Sequence, residues 1–97
     1  MYDGLRIDDA IHCGMVLTGG DREGTRRQAQ RIEALGFDSL WVGDHIAFHV
    51  PITDSLTLLA FAAGVTERVS LGTAVYLLPL RHPTSIAKAT ASLDLLS

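Results

Sequence analysis

The feature that most constrains the fold is a regular alternation of short apolar segments with longer segments of helical character. The apolar segments cover residues 12–17, 37–42 and 69–75, so successive segments begin 25 residues apart (12 to 37) and 32 residues apart (37 to 69). This spacing is typical of a unit in which a strand is followed by a helix that leads to the next strand. Helices are predicted over residues 23–35, over residues 56–65, and from Pro83 toward Leu96.

Apolar strands that alternate with helices predict an α/β protein with a parallel sheet covered by helices. Such a sheet is either open and doubly wound or closed into a barrel, and an eight-stranded barrel typically takes ~250 residues. The 97 residues of this chain provide about three β/α units. Because neither a linker-like stretch nor a block of charge interrupts them, we interpret residues 1–97 as a single partial domain.

Charge and cysteine content argue against several classes of partner. The formal net charge of −3 at pH 7 argues against nucleic acid, since neutralising phosphates requires a basic surface. The longest uncharged stretches, residues 55–66 and 69–80, are shorter than the ~20 residues that cross a bilayer, so no membrane association is expected. The single cysteine, Cys13, cannot form an internal disulfide, which favours a reducing, cytoplasmic location.

Asp44 and His45 form the first candidate site, because they follow the end of the second predicted strand. Parallel α/β proteins bind ligands at the carboxyl ends of their strands. An imidazole exchanges protons near neutral pH, and an adjacent carboxylate can orient it. The pair therefore indicates acid–base chemistry, with the capping of a turn by Asp44 as the structural alternative.

His45 and His49 have the spacing at which two histidines on a helix can bind zinc. The segment is predicted to be a loop, however, and Ile46 stands where the H-E-x-x-H motif requires glutamate. No metal ion is therefore predicted.

The end of the third predicted strand is the second candidate site. Gly72 is unusual within a strand, where glycine often marks a bulge or the close approach of a ligand. The small residues at the carboxyl end of this strand leave room for a flat ring, and a tightly packed interior is the structural alternative.

Other conspicuous residues have simpler predicted roles. Trp41 is predicted to lie in the core. Arg81 and His82 either reach an anionic ligand or cap the helix that Pro83 begins, and capping is the favoured interpretation.

Several segments resemble the bacterial luciferase-like family of flavin and deazaflavin oxidoreductases. The similar motifs are Leu-Gly-Phe-Asp-Ser-Leu-Trp-Val-Gly-Asp-His at residues 35–45, Arg-Val-Ser-Leu-Gly-Thr-Ala-Val at residues 68–75 and Leu-Pro-Leu-Arg-His-Pro at residues 78–83. The resemblance is nearly continuous from residue 35 to residue 97. The Arg-His-Pro of the last motif is most similar to the subgroup that uses coenzyme F(420).

The resemblance implies a (β/α)8 TIM barrel, of which this chain would be the N-terminal portion, with the cofactor at the carboxyl ends of the strands. His45 coincides with the family's ring-facing histidine and is the implied catalytic residue. Asp44 would contact the ring or hold His45. Thr73, Ala74 and Val75 would support the ring, the last two at a bulge whose peptide bond is often cis in the family.

The implied activity is that of an oxidoreductase acting on a small organic substrate by hydride transfer or monooxygenation. Coenzyme F(420) is favoured as the cofactor, with FMN as the alternative, and the complete protein is expected to be a homodimer. The chain alone is expected to be inactive, because phosphate-binding loops in such barrels usually follow strands seven and eight. Two rival interpretations remain, namely a non-catalytic flavin-binding barrel subunit and a metal-dependent hydrolase barrel that uses Asp44, His45 and His49.

Overall fold

The computed structural model describes residues 10–97, which form an α/β unit built on a parallel sheet. In chain order the elements are strand β1 (Gly14–Val16), helix α1 (Arg22–Ala34), strand β2 (Ser39–Val42), helix α2 (Ser55–Val65), strand β3 (Ser70–Thr73), a 3-10 turn (Leu78–Leu80) and helix α3 (Pro83–Leu96). This order confirms the predicted α/β class and its three β/α units. Each strand is shorter than the apolar segment that contains it.

The sheet has three parallel strands in the order β1-β2-β3 within the described residues. Leu40 of β2 is in register with Met15 of β1 and Leu71 of β3. Because side chains alternate along a strand, Leu40 and Val42 lie on one face, where both are buried beneath α1 and α2. The core on this face consists of Leu17, Ala29, Ile32, Leu40, Val42, Leu58, Leu59, Ala62 and Val69.

The opposite face of the sheet is exposed in the part of the chain that the structure describes. Trp41 is 38% exposed there, and its register partner Val16 is 55% exposed. The indole lies across Gly14 and Gly72, and a Cβ atom on Gly72 would meet Trp41 Cζ3 at 2.6 Å. Within residues 10–97, Trp41 therefore lies outside the helix-covered core, contrary to the prediction, and on the open face of the sheet. Gly72 provides room for the indole, because any larger side chain at this position would collide with the ring.

The first two helices begin at carboxylate caps. Asp21 accepts a hydrogen bond from the Gly24 N–H at 2.7 Å, and Asp54 accepts one from the Thr57 N–H at 3.1 Å. These bonds occupy backbone donors that the first turn of a helix leaves unpaired. Gly36 ends the first unit with a φ of +90°, a conformation that glycine adopts without steric cost.

Pro83 occupies the first position of α3, as predicted, where the missing N–H is not needed. His82 precedes it, and its Nδ1 accepts a hydrogen bond from the Thr84 N–H at 3.3 Å. The predicted cap is thus confirmed for His82. Among the helices of residues 10–97, none is both long and apolar enough to span a membrane.

Glu33 joins α1 to the turn before β3, at the amino edge of the sheet. Its carboxylate accepts hydrogen bonds from the N–H groups of Glu67 (2.9 Å), Arg68 (2.6 Å) and Val69 (3.0 Å). Burial on its own raises the pKa of Glu33, but these hydrogen bonds and the nearby charge of Arg68 outweigh it and lower the pKa below its ordinary value. The Arg68 side chain also donates to the Phe37 carbonyl at 2.7 Å, so the turn is held from both sides.

Candidate functional site

The segments that follow β2 and β3 meet at the carboxyl edge of the sheet. The Ala74 N–H donates to the Val42 carbonyl at 2.9 Å, which brings the end of β3 beside the end of β2. The peptide bond between Ala74 and Val75 is cis, as the resemblance implied. Ala74 is exposed and Val75 is 69% exposed, so both present their side chains to solvent at this edge. Ligands bind at this edge in parallel α/β proteins.

Thr73 is placed differently from the two residues that follow it. It is half-buried and in register with Val42, so its side chain belongs to the helix-covered face of the sheet. Of the three residues expected to support a ring, Ala74 and Val75 are therefore the two whose side chains lie at the open edge.

His45 is exposed and lies three residues beyond Val42, the last residue of β2, next to the buried Asp44. Its imidazole stacks on Phe48, with ring centroids 4.4 Å apart and an angle of 27° between the planes. The ring also lies over the backbone of Gly43, where a Cβ atom would be 3.8 Å from His45 Nε2. The imidazole thus packs against the Phe48 ring and the Gly43 backbone and remains exposed to solvent.

Asp44 is buried and sits between three elements. Its Oδ1 accepts from the Ser55 hydroxyl at 3.0 Å, at the start of α2, and its Oδ2 accepts from the Leu77 N–H at 2.7 Å. Arg81 Nη2 donates to both oxygens, at 2.9 and 3.1 Å. Both carboxylate oxygens therefore have protein donors, and these tie the end of β2 to α2 and to the loop before α3.

Arg81 is the functional candidate whose role the sequence did not reveal. Its Nε donates to the Tyr76 hydroxyl at 3.0 Å, and its guanidinium lies 4.9 Å from the centre of the Tyr76 ring. Burial on its own lowers the pKa of Arg81, but the bond to Tyr76 and the carboxylates of Asp44 and Asp54 outweigh it and raise the pKa. The prediction that Arg81 helps to cap α3 is wrong, because its side chain turns toward Asp44 instead.

The position of Asp44 in the sequence is the feature that could have indicated the Asp44–Arg81 ion pair. A carboxylate that directly follows a buried strand needs a cationic or hydrogen-bonding partner if it is buried too. Arg81 follows the neighbouring strand, and the carboxyl ends of parallel strands share one edge. The sequence does not fix the path of the loop between β3 and α3, which decides whether the arginine reaches that carboxylate.

The two loop histidines, His45 and His49, both pack against one aromatic ring. The Phe48 ring contacts both imidazoles, with its centroid 4.4 Å from that of His45 and 4.2 Å from that of His49. Among residues 10–97, no three histidine, cysteine, aspartate or glutamate side chains are grouped as metal ligands. The metal-dependent hydrolase alternative gains no support from this geometry.

The carboxyl edge has the chemistry that a flat, partly polar ring requires. Val75 offers an exposed apolar surface, and His45 offers an exposed nitrogen donor or acceptor on the adjacent loop. Such sites combine apolar walls with a few oriented polar groups. The residues at this edge therefore fit a flavin or deazaflavin ring.

Comparison with known families gives a match over residues 10–97 to the family described as luciferase-like monooxygenase. The 4-hydroxyprotoasukamycin monooxygenase of Streptomyces nodosus subsp. asukaensis is 37% identical over 67 residues, covering 68% of this chain and 18% of the relative. Limonene 1,2-monooxygenase of Rhodococcus erythropolis is 38% identical over 69 residues, covering 70% of this chain and 18% of the relative.

An F(420)-dependent glucose-6-phosphate dehydrogenase of Beutenbergia cavernae is 43% identical over 72 residues, covering 67% of this chain and 21% of the relative. The chain thus spans about a fifth of the length of the curated relatives it matches. Because the family match extends over all the described residues, the chain belongs to the luciferase-like monooxygenase family.

Proposed function

We propose that this chain is part of an oxidoreductase that binds a deazaflavin or flavin ring at the carboxyl edge of its sheet and acts on a small organic substrate. The observation that carries the proposal is the placement of exposed His45 on the loop next to exposed Ala74 and Val75, in a member of this family. An accessible proton-exchanging group beside an apolar surface is the arrangement that ring-based redox chemistry uses.

The proposal includes closure of the sheet into a (β/α)8 barrel in the complete protein, with this chain as its first three β/α units. In a barrel, the sheet face that carries Val16 and Trp41 becomes the packed interior, which accounts for apolar side chains on an exposed face. The share of about a fifth of each relative's length agrees with a partial barrel. By itself the chain would be inactive, since it provides only one part of the cofactor site.

The proposed cofactor is coenzyme F(420), with FMN as the alternative. The relative from Beutenbergia cavernae is named as F(420)-dependent, and the Arg-His-Pro sequence at residues 81–83 favours the same choice. When bound, such a ring supplies hydride transfer or, in the case of FMN, oxygen activation. Ala74 and Val75 would support the ring. The backbone of Thr73, the last residue of β3, would position these two residues, and Asp44 would hold the surrounding loops in place.

His45 would hold or release a proton as charge develops near the ring. Its contacts with Phe48 and Gly43 restrict the orientation of the imidazole without covering it. A histidine in such a position acts as a general acid, a general base or a hydrogen-bond donor near neutral pH.

The test is the kinetics of His45→Ala in the complete protein, with His49→Ala as the matched control in the same loop. General acid–base assistance is worth ~10²–10⁴ in rate, so His45→Ala should lower kcat by a factor in that range. The Kd of the cofactor should change much less, because most of its contacts lie elsewhere. His49→Ala should leave kcat and Kd near wild type. Normal kcat in His45→Ala would contradict the catalytic assignment.

A further inference from the structure

The Asp44 carboxylate is enclosed by hydrogen-bond donors of the protein at the carboxyl edge of the sheet. Its side chain is 0% exposed, and it accepts hydrogen bonds from Ser55, Leu77 and Arg81. A side chain so enclosed has no free face toward a ligand at the edge. Asp44 is therefore placed to fix protein segments, and a direct contact with a ring would require this arrangement to open.

The Arg81 guanidinium is held by groups from several segments at once. Its side chain is 15% exposed, it pairs with Asp44 at 2.9 Å, and it lies 3.9 Å from Asp54 Oδ1. The hydroxyl of Tyr76 accepts from its Nε on the other side. A planar guanidinium fixed at opposite sides has little freedom to rotate.

These bonds determine where the loop after β3 lies. Asp44 adjoins His45 in the chain, and its Oδ2 accepts from the Leu77 N–H, two residues beyond Val75. Arg81 closes the other end of the same loop onto the same carboxylate. The hydrogen bonds that Leu77 and Arg81 donate to Asp44 thereby fix the exposed Ala74 and Val75 relative to His45, the residue next to Asp44.

We propose that Asp44 and Arg81 act together as a positioning pair, which sets the ring-supporting segment Ala74–Val75 against His45. This inference rests on the proposed function. It assigns Asp44 a role exerted through Arg81 and the loop, in place of a contact with the ring. Misplacing reacting groups by about 1 Å can cost ~10²-fold in rate, so the pair affects catalysis without touching the substrate.

The test is a double-mutant cycle in the complete protein with Asp44→Asn, Arg81→Met and the double variant. We expect each single variant to raise the cofactor Kd and to lower kcat/KM by roughly 10–100-fold. The double variant should lose about as much as either single variant, because both changes break the same bridge. Arg26→Met, which breaks an exposed pair with Glu23 on α1, is the matched control and should change neither quantity.

A separate readout needs no bound cofactor. In Arg81→Met the Leu77 amide is chemically unchanged, yet its hydrogen exchange should accelerate because the loop is no longer held at both ends. Arg81→Lys keeps the positive charge without the planar fork, and it should restore folding and part of the lost kcat/KM if Arg81→Met folds poorly.

Losses that multiply in the double variant, or a Leu77 amide whose exchange is unchanged in both Arg81 variants, would overturn the positioning pair. A loss of cofactor affinity confined to Asp44→Asn would instead indicate direct contact with the ring and would also overturn it. A wild-type protein that binds neither coenzyme F(420) nor FMN would refute the proposed function, and the inference with it. Wild-type binding with uncoupled variants refutes the inference alone.

Discussion

Removal of the Glu33 carboxylate, which lies at the opposite edge of the sheet from the candidate site, should lower the stability of the protein. Three backbone N–H groups, those of Glu67, Arg68 and Val69, donate to this side chain at 2.6–3.0 Å. A typical hydrogen bond contributes a net ~0.5–1.5 kcal/mol, and solvent access puts each of these near the lower end. Glu33→Ala should therefore lower the free energy of unfolding by about 2 kcal/mol, and Glu33→Gln by roughly half of that because the amide keeps one acceptor oxygen.

The same contacts make the effect depend on pH. In the folded protein, the pKa of Glu33 lies below its ordinary value of 4.5. A carboxyl group with a depressed folded pKa contributes stability above its unfolded pKa, and this stability is lost as the pH falls through the folded value. The difference between wild type and Glu33→Gln should therefore be full at about pH 7 and shrink as the pH falls below 4.5.

Chemical denaturation of the complete protein at several pH values measures both quantities. The matched control is Glu23→Gln on the same helix, where the carboxylate pairs only with the exposed Arg26 side chain among the described contacts and should contribute no measurable stability. A stability loss in Glu33→Gln that stays the same from neutral to acidic pH would refute the reasoning, as would a loss equal to that of Glu23→Gln.

Two further changes test the packing and the capping. Gly72→Ala places a Cβ atom 2.6 Å from the Trp41 ring and should destabilise the protein by about 1–3 kcal/mol, with a shift in the fluorescence emission of Trp41. Unchanged emission and stability would contradict the described packing. Asp54→Ala removes the cap of α2 and should lower the free energy of unfolding by about 1 kcal/mol. Asp54→Asn should lower it much less, because asparagine also caps helices. Equal losses in the two variants would exclude the capping role.

The order of the elements could be predicted because local chemistry decides it. Asp54 before an apolar run and Pro83 at the start of another predict helix starts, and both helices begin there. The ends of the strands were less predictable. Phe37 belongs to the second apolar segment, but β2 begins only at Ser39, and the Phe37 carbonyl accepts a hydrogen bond from the Arg68 side chain.

The side-chain partners across the sheet could be predicted only in part. Sequence placed Asp44, His45 and Ala74–Val75 at the carboxyl edge, because that edge follows from strand order alone. It did not reveal that Asp44 pairs with Arg81, which lies 37 residues away and reaches the carboxylate through the path of one loop. The face on which Trp41 lies was not predictable either, since an aromatic residue in a strand can face either side of the sheet, and only the register shows which side the helices cover.

The proposed binding of a flavin or deazaflavin ring where the loops after β2 and β3 meet is tested most directly by hydrogen exchange. The exchange is measured on the complete protein during titration with coenzyme F(420) and, separately, with FMN. We predict saturable binding that is tighter for coenzyme F(420) than for FMN. Exchange should slow at the amides of residues 43–46 and 74–77 and stay unchanged at residues 67–69, whose amides bond Glu33 at the opposite edge of the sheet. Failure of both cofactors to bind, or saturable binding that leaves the exchange of both loops unchanged, would contradict the account.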